Sequence, residues 1–308
     1  MLTGLLMAAA VMIPFAGGIS SLIEFITSAN MLLVVSLWAL GYALAAFLFG
    51  LITKDYSWID RLWSILPVFF VWYYAYRSVT ANGAGALAVC IAAALVTFWG
   101  ARLTFNFARK GGYCGLEDYR WVFLRKKITN PVLWQLFNLS FICLVQSSLF
   151  VLFTFPVYSL TFITAETMPA LFWILTAIGF ALVCLEFISD QQQWNFHAAK
   201  KLAVEQKDYP SKYSVDVKNG FLSQGLFALS RHPNYFCELG FWWIIWLAAF
   251  SFFCDPIASG VFGPFILTLI FVGSTILTES ITSSKYSEYK NYQKRVVSAV
   301  IPWFTRKS

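Results

Sequence analysis

Charge is scarce in this sequence. Only 12% of its 308 residues are Asp, Glu, Lys or Arg, while 59% are hydrophobic and 19% aromatic. A soluble domain carries about 25% charge, and a water-soluble protein of this size needs far more polar surface than this chain has. Histidine is nearly absent: with only His197 and His232, a multi-histidine metal centre is not supported, and no metal site is expected. The cysteines Cys90, Cys114, Cys143, Cys184, Cys237 and Cys254 are scattered, without a Cys-x-x-Cys pair. They read as small core hydrophobes rather than a disulfide framework or a zinc site. Gly-x-Gly-x-x-Gly, Walker A, His-Glu-x-x-His and Gly-x-Ser-x-Gly are all missing. A Rossmann domain, P-loop, zincin or serine hydrolase therefore has no support.

What is abundant is apolar length. Mean hydropathy is +0.68, and runs long enough to cross the hydrocarbon, roughly 20 residues each, fall near 4–26, 31–53, 62–78, 84–108, 133–157, 168–189, 235–253 and 261–280. The expected fold is all-α: a polytopic membrane bundle of about seven or eight helices, forming a single membrane domain over 1–308 with no separable soluble domain. The first run is interrupted by Pro14 and Gly17-Gly18. It lacks a basic leader region and reads as a first helix rather than a cleaved signal peptide. Beside so many apolar spans, the net charge of +7 points to membrane orientation and anionic lipid headgroups, with a fraction left to hold an anionic cofactor. Nucleic acid is not an expected partner, and no obligate protein partner is evident.

Lys and Arg are distributed asymmetrically. Arg109, Lys110, Arg120, Arg125, Lys126 and Lys127 crowd 109–131; Lys200, Lys201, Lys207, Lys212, Lys218 and Arg231 lie in 190–232; Lys285, Lys290, Lys294, Arg295, Arg306 and Lys307 lie in the tail. Two spans separate each group from the next. The loops between, 158–167 and 254–260, carry only Glu166 and Asp255. The positive-inside rule puts the basic segments, and with them 54–61, in the cytosol, with Arg77 as the exception. The expected location is an integral multi-pass protein of the endoplasmic reticulum in a eukaryote or of the inner membrane in a bacterium.

Ionisable groups at the edges of these spans call for explanation, since each costs about 2.5–3.5 kcal/mol at mid-helix. Trp99, Arg102, Asn106 and Arg109 share an arc of about 80° on a helix. The arc suits either a snorkelling helix end or an anion, because guanidinium forks match phosphate oxygens. Glu186, Asp190, Gln193 and His197 form a second stripe, fit for ion pairing or for accepting hydrogen bonds from ribose or amide groups. Ser230 and Pro233 suit a helix start. Arg231, His232 and Asn234 then stand at a positive helix end, with Glu238 one turn deeper. Tyr286, Tyr289 and Tyr292 read as an interfacial aromatic belt or as phenols closing over a cofactor.

Gly225-Leu226-Phe227 followed by Ser230-Arg231-His232-Pro233-Asn234-Tyr235-Phe236-x-Glu238 resembles the signature of the steroid 5-alpha-reductase-like membrane proteins, and more narrowly of their DUF1295 branch. Asp60-x-x-Trp63-Ser64-x-x-Pro67, Arg102-Leu103-Thr104-x-Asn106-x-x-Arg109, Glu117-Asp118-Tyr119-Arg120, Asp190-x-Gln192 and the Tyr-rich tail ending Ile301-Pro302 match in the same order over 55–305. Residues 1–54 carry no such piece. The resemblance implies NADPH gripped at the cytosolic end of the bundle by Arg102, Asn106, Arg109, Asp118, Tyr119, Arg120, Asp190, Arg231, His232, Asn234, Tyr235, Glu238, Tyr286, Tyr289 and Tyr292. It implies Asp60 as the substrate-side acid. It also implies a catalytic hydroxyl on the helix bearing Arg102, where this chain offers Trp99 and no tyrosine. The implied reaction is hydride transfer to a conjugated double bond of a lipophilic substrate, steroid-like, polyprenyl or enoyl, entering from the bilayer. A related family, the isoprenylcysteine and phospholipid methyltransferases, uses a similar Arg-His-Pro block to bind S-adenosylmethionine. Its adjacent acidic pair is replaced here by Glu279-Ser280.

Overall fold

A computed structural model describes residues 18–302 except 116 and 165–166, with side chains from residue 23 onward. Most of the first apolar run, Glu166, Arg306 and Lys307 lie outside the described residues. Every regular element among the described residues is helical. Six helices are long and apolar enough to cross a membrane: Met31–Thr53, Ala86–Arg109, Pro131–Phe162, Ala170–Val204, Pro233–Phe253 and Phe262–Lys285. The chain is therefore an all-helical, multi-pass membrane protein. The run expected at 62–78 begins with turns, and its helix, Leu66–Thr80, is only 15 residues long. The sixth expected run, ending at 189, continues as one helix to Val204, because the buried positions persist past the apolar stretch.

The chain divides into two compact units. Among the described residues, those up to 176 with 245–264 form the first, and 177–244 with those from 265 onward the second.

In the first unit, α1 (Gly18–Ser28) leads to α2 (Met31–Thr53), α3 (Trp58–Arg61), α4 (Leu66–Thr80), α5 (Ala86–Arg109) and α6 (Tyr119–Lys127). Asn30 starts α2 by accepting hydrogen bonds from the Leu32 and Leu33 amides at 2.9 and 3.2 Å, the standard way to satisfy free amides at a helix start. Arg77, the exception in the charge pattern, donates to the Ile26 and Ala29 carbonyls at 2.9 Å each. It thereby satisfies carbonyls at the end of α1. The run Pro131–Phe162 comprises α7 (Pro131–Phe137), a π-helix (Asn138–Val145), α8 (Gln146–Ser159) and a closing 3-10 turn. α4 packs along α5, and α8 packs on α2 and α4. The core holds Trp99, Tyr74, Phe70, Phe150 and Phe153.

The second unit contains most of α9 (Ala170–Val204), then α10 (Ser214–Asn219), the start of α11 (Pro233–Phe253), most of α12 (Phe262–Lys285) and α13 (Tyr289–Arg295). A turn at Asn219-Gly220 ends α10, with Gly220 at φ 88°. Phe196 and Ala199 of α9 pack on Tyr213, Leu222 and Phe227. Phe221 packs with Tyr289, Tyr292 and Val296.

Candidate functional site

In the first unit, the segment joining α2 to α4 is knitted to the loop that follows α5. Ser57 Oγ accepts the Asp118 amide at 2.7 Å. Glu117 accepts the Tyr56 amide at 3.1 Å and Arg125 at 2.8 Å. Arg61 pairs with Asp55 and donates to the Gly112 carbonyl. Asp118 opens α6, accepting the Arg120 amide at 2.8 Å and both Arg120 Nε and an NH2 group at 2.9 Å. Tyr119 is exposed.

Asp60 stands at the middle of this knot. Trp121 Nε1 donates to its Oδ2 at 2.7 Å, and the Arg120 guanidinium lies 3.7 Å from Oδ1. Burial pushes the Asp60 carboxyl up to about 7, with Asp118 adding to the rise and Arg120, the Trp121 hydrogen bond and Arg61 opposing it. A carboxyl that keeps its proton near neutral pH can donate a hydrogen bond or a proton.

The stripe read from the sequence is real, and most of it faces inward. Trp99, Arg102 and Asn106 are buried. Arg109 donates to Asn106 Oδ1 through Nε at 3.0 Å and an NH2 group at 2.8 Å. A snorkelling helix end would point outward, so burial favours the stripe's polar role over that alternative. Gly100 lets the 57–68 segment lie directly on α5. A Cβ there would stand 2.7 Å from the Ser64 carbonyl oxygen and 2.5 Å from Val68. Ser64 Oγ and Thr104 Oγ1 are 2.7 Å apart. Trp63 packs edge-on against Phe150, their ring centres 5.0 Å apart, and Trp99 lies 6.5 Å from Phe153. Sequence reasoning missed Trp121 and Tyr113. Tyr113 donates to the Arg61 carbonyl at 3.0 Å, and burial raises its phenol pKa. Neither residue repeats with a period that would have marked it.

In the second unit, Glu186 and Asp190 are buried, whereas His197 is exposed. The expected four-residue stripe breaks because the packed face of α9 passes to Phe196 and Ala199. Gln192 Oε1 accepts the Leu226 amide at 3.0 Å. Gly225 has φ +64°, and a Cβ there would be 2.6 Å from the same oxygen. That close approach explains a glycine at this position.

Arg231 is a clamp. Its Nε and an NH2 group donate to the two Glu279 oxygens at 2.5 and 2.9 Å, and its other nitrogen donates to the Val296 and Val297 carbonyls at 2.5 and 2.8 Å. Ser230 lies just before α11: its hydroxyl accepts the His232 amide at 3.2 Å and donates to the Ala299 and Val300 carbonyls at 3.1 and 2.8 Å. The ring of His232 stacks on Tyr235 at 5.0 Å, with Nε2 3.2 Å from Glu279. Tyr289 and Gln293 donate to Glu279 at 3.3 and 2.9 Å.

Tyr292 donates to the Phe227 carbonyl at 2.6 Å. Tyr289 and Tyr292 are buried, which removes them from any lipid-facing belt, and burial raises both phenol pKa values. Tyr286 receives a hydrogen bond from Lys200 at 2.9 Å. Burial pushes its pKa up, but Lys200 and Lys285 outweigh it, so the phenol sits below its usual range. Asn234 is half-buried, and Glu238 is buried and accepts Trp242 Nε1 at 3.2 Å. Among the described residues no group of three His, Cys, Asp or Glu side chains could hold a metal ion.

No solved structure matches the chain. An uncharacterized protein of Schizosaccharomyces pombe, C594.04c, is 35% identical over 294 residues, covering 92% of this chain and 78% of its own length. Residues 46–296 match the family described as protein of unknown function DUF1295, a stretch that contains the Asp60 knot, the α5 stripe and the Arg231 clamp. The chain belongs to the DUF1295 family.

Proposed function

We propose that the protein is a membrane-embedded, NADPH-dependent reductase of a conjugated carbon–carbon double bond in a lipophilic substrate, of steroid-like, polyprenyl or enoyl-lipid type. The observation that carries this reading is Asp60, a largely buried carboxyl, its side chain 10% exposed and its pKa raised by burial to about 7, in the segment that packs on the helix bearing the basic stripe. The donor set fits a phosphate-bearing cofactor: two guanidiniums and an amide share one largely buried helix face, Arg102, Asn106 and Arg109, and guanidinium forks match phosphate oxygens. When bound, NADPH supplies the hydride.

The chain's own residues do the rest. Protonated Asp60 donates to the substrate's carbonyl oxygen as negative charge develops there. Trp121 Nε1 fixes the carboxyl's orientation, and Arg120 moderates its pKa. The aromatic wall of Trp63, Trp99, Phe150 and Phe153 excludes water. Arg231 already donates from all three guanidinium nitrogens, so its role is to hold the His232 and Asn234 segment rather than to grip phosphate.

NADPH titration of the detergent-solubilised protein, read by tryptophan fluorescence, tests the reading. Arg102→Ala is expected to weaken binding about 10–100-fold, the loss of one charge-assisted hydrogen bond of about 1.5–3 kcal/mol. Mass spectrometry of co-purified small molecules provides an independent check. S-adenosylmethionine in place of NADP(H) would overturn the proposal in favour of methyl transfer.

A further inference from the structure

A groove between α2 and the Pro131–Phe162 run lies apart from every residue assigned to the proposed reaction. It is lined by Ser36, Ala39 and Ala43 on one side and Ser147, Ser148 and Val151 on the other, with a volume of about 250 Å³. Small residues leave the space, and Leu40 and Val145 beside it are exposed, so the groove opens toward lipid. Ser147 is 1% exposed, yet its hydroxyl has no hydrogen-bond partner among the described residues.

Tyr74, Ser78 and Ser189 also have buried hydroxyls without a partner among the described residues, but none of them lines this groove. Thr53, Thr97, Ser140, Thr154 and Thr275 all donate to the carbonyl four residues earlier. Ser147 is the second residue after the π-helix Asn138–Val145, where the backbone ladder changes register. In hydrocarbon no water replaces a missing partner, so an unsatisfied hydroxyl is costly.

We propose that this groove is a binding site for a neutral, headgroup-free lipid whose terminal oxygen pairs with Ser147. Depth selects the class. Ser147 stands midway along Pro131–Phe162, and Ala39 and Ala43 lie near the middle of Met31–Thr53. At about 1.5 Å rise per residue, this is near the bilayer centre, far from the phosphates and ester carbonyls of ordinary phospholipids. An uncharged alcohol or ketone on an isoprenoid-like body can reach it. The volume is below the roughly 300–1,000 Å³ of sites that enclose a whole ligand, so the groove takes one end of the lipid and leaves the rest in the bilayer.

The test is photolabelling in phosphatidylcholine vesicles. A diazirine-bearing, alkyne-tagged isoprenoid alcohol is compared with the same diazirine on a phosphatidylcholine acyl chain, and labelled peptides are mapped. The alcohol is expected to label 36–43 and 144–152 several-fold more than the phospholipid probe. Ser147→Ala, a substitution that removes only the hydroxyl, is expected to abolish most of that excess. Ala43→Leu, which fills the groove, is expected to reduce labelling to the phospholipid level. Equal labelling by the two probes, or an excess that survives Ser147→Ala in a variant that elutes as the wild type does, overturns the proposal.

Discussion

At Asp60, burial and charge act in opposite directions. Arg120, Arg61 and the Trp121 indole all favour the carboxylate, but desolvation outweighs them and lifts the pKa from 3.8 to about 7. The folded state therefore binds a proton that the unfolded state releases. The stability this contributes is present below about pH 4 and is lost as pH rises toward 7, to a total of about 4 kcal/mol. The melting temperature of the wild type should fall between pH 5 and pH 8, whereas Asp60→Asn should be nearly flat over that range. Parallel curves for the two proteins would show that the carboxyl is already ionised when folded. In the proposed reduction Asp60 acts only when protonated, so the proposed turnover should likewise decline above pH 7.

Among the elements, two contacts decide how segments are held. Gly100 lets the 57–68 segment touch α5, with a Cβ position 2.7 Å from the Ser64 carbonyl oxygen. Gly100→Ala should push that segment off the helix, at about 1–3 kcal/mol, and weaken NADPH binding together with thermal stability. The second contact is the Arg231–Glu279 pair, with side chains only 9% and 14% exposed. Removing one member of a buried pair leaves the other charged and uncompensated, at about 3–5 kcal/mol. Glu279→Ala should therefore lower the melting temperature and free α13, so that trypsin cuts at Lys290 and Lys294 under conditions in which the wild type resists. A tail equally resistant in the variant would mean that the Ser230 and Tyr292 hydrogen bonds hold it without the ion pair.

For the whole molecule, the prediction concerns sidedness, and native cysteines report it. Cys114, in the basic loop after α5, and Cys254, between α11 and α12, are the exposed cysteines; the other four are buried or half-buried. The charge pattern puts Cys114 in the cytosol and Cys254 on the opposite side. A membrane-impermeant maleimide added to sealed vesicles of known orientation should label one of the two, and permeabilisation should add the other. Cys114→Ser and Cys254→Ser identify each signal. Both labelled from one side would break the proposed topology.

Hydropathy and helical period alone determined the membrane class, most of the spans and that Trp99, Arg102 and Asn106 share one helix face, whereas the burial of that face came from the tertiary structure. Both signals depend only on residues within a turn or two of one another, and lipid imposes them on each helix separately. The stripe Glu186–His197 shows where that logic stops: its first two residues are buried, but which face of α9 packs further along depends on Tyr213, Leu222 and Phe227. Only the tertiary structure decided that Trp121 and Arg120 surround Asp60, 61 residues away in the case of the Trp121 hydrogen bond. It alone decided that Arg231 is spent on Glu279 and the tail carbonyls, and that the Ser147 hydroxyl has no partner among the described residues. Each of these turns on which polar groups meet once desolvated, and a sequence offers many equivalent donors and acceptors until the fold brings particular ones within hydrogen-bond distance.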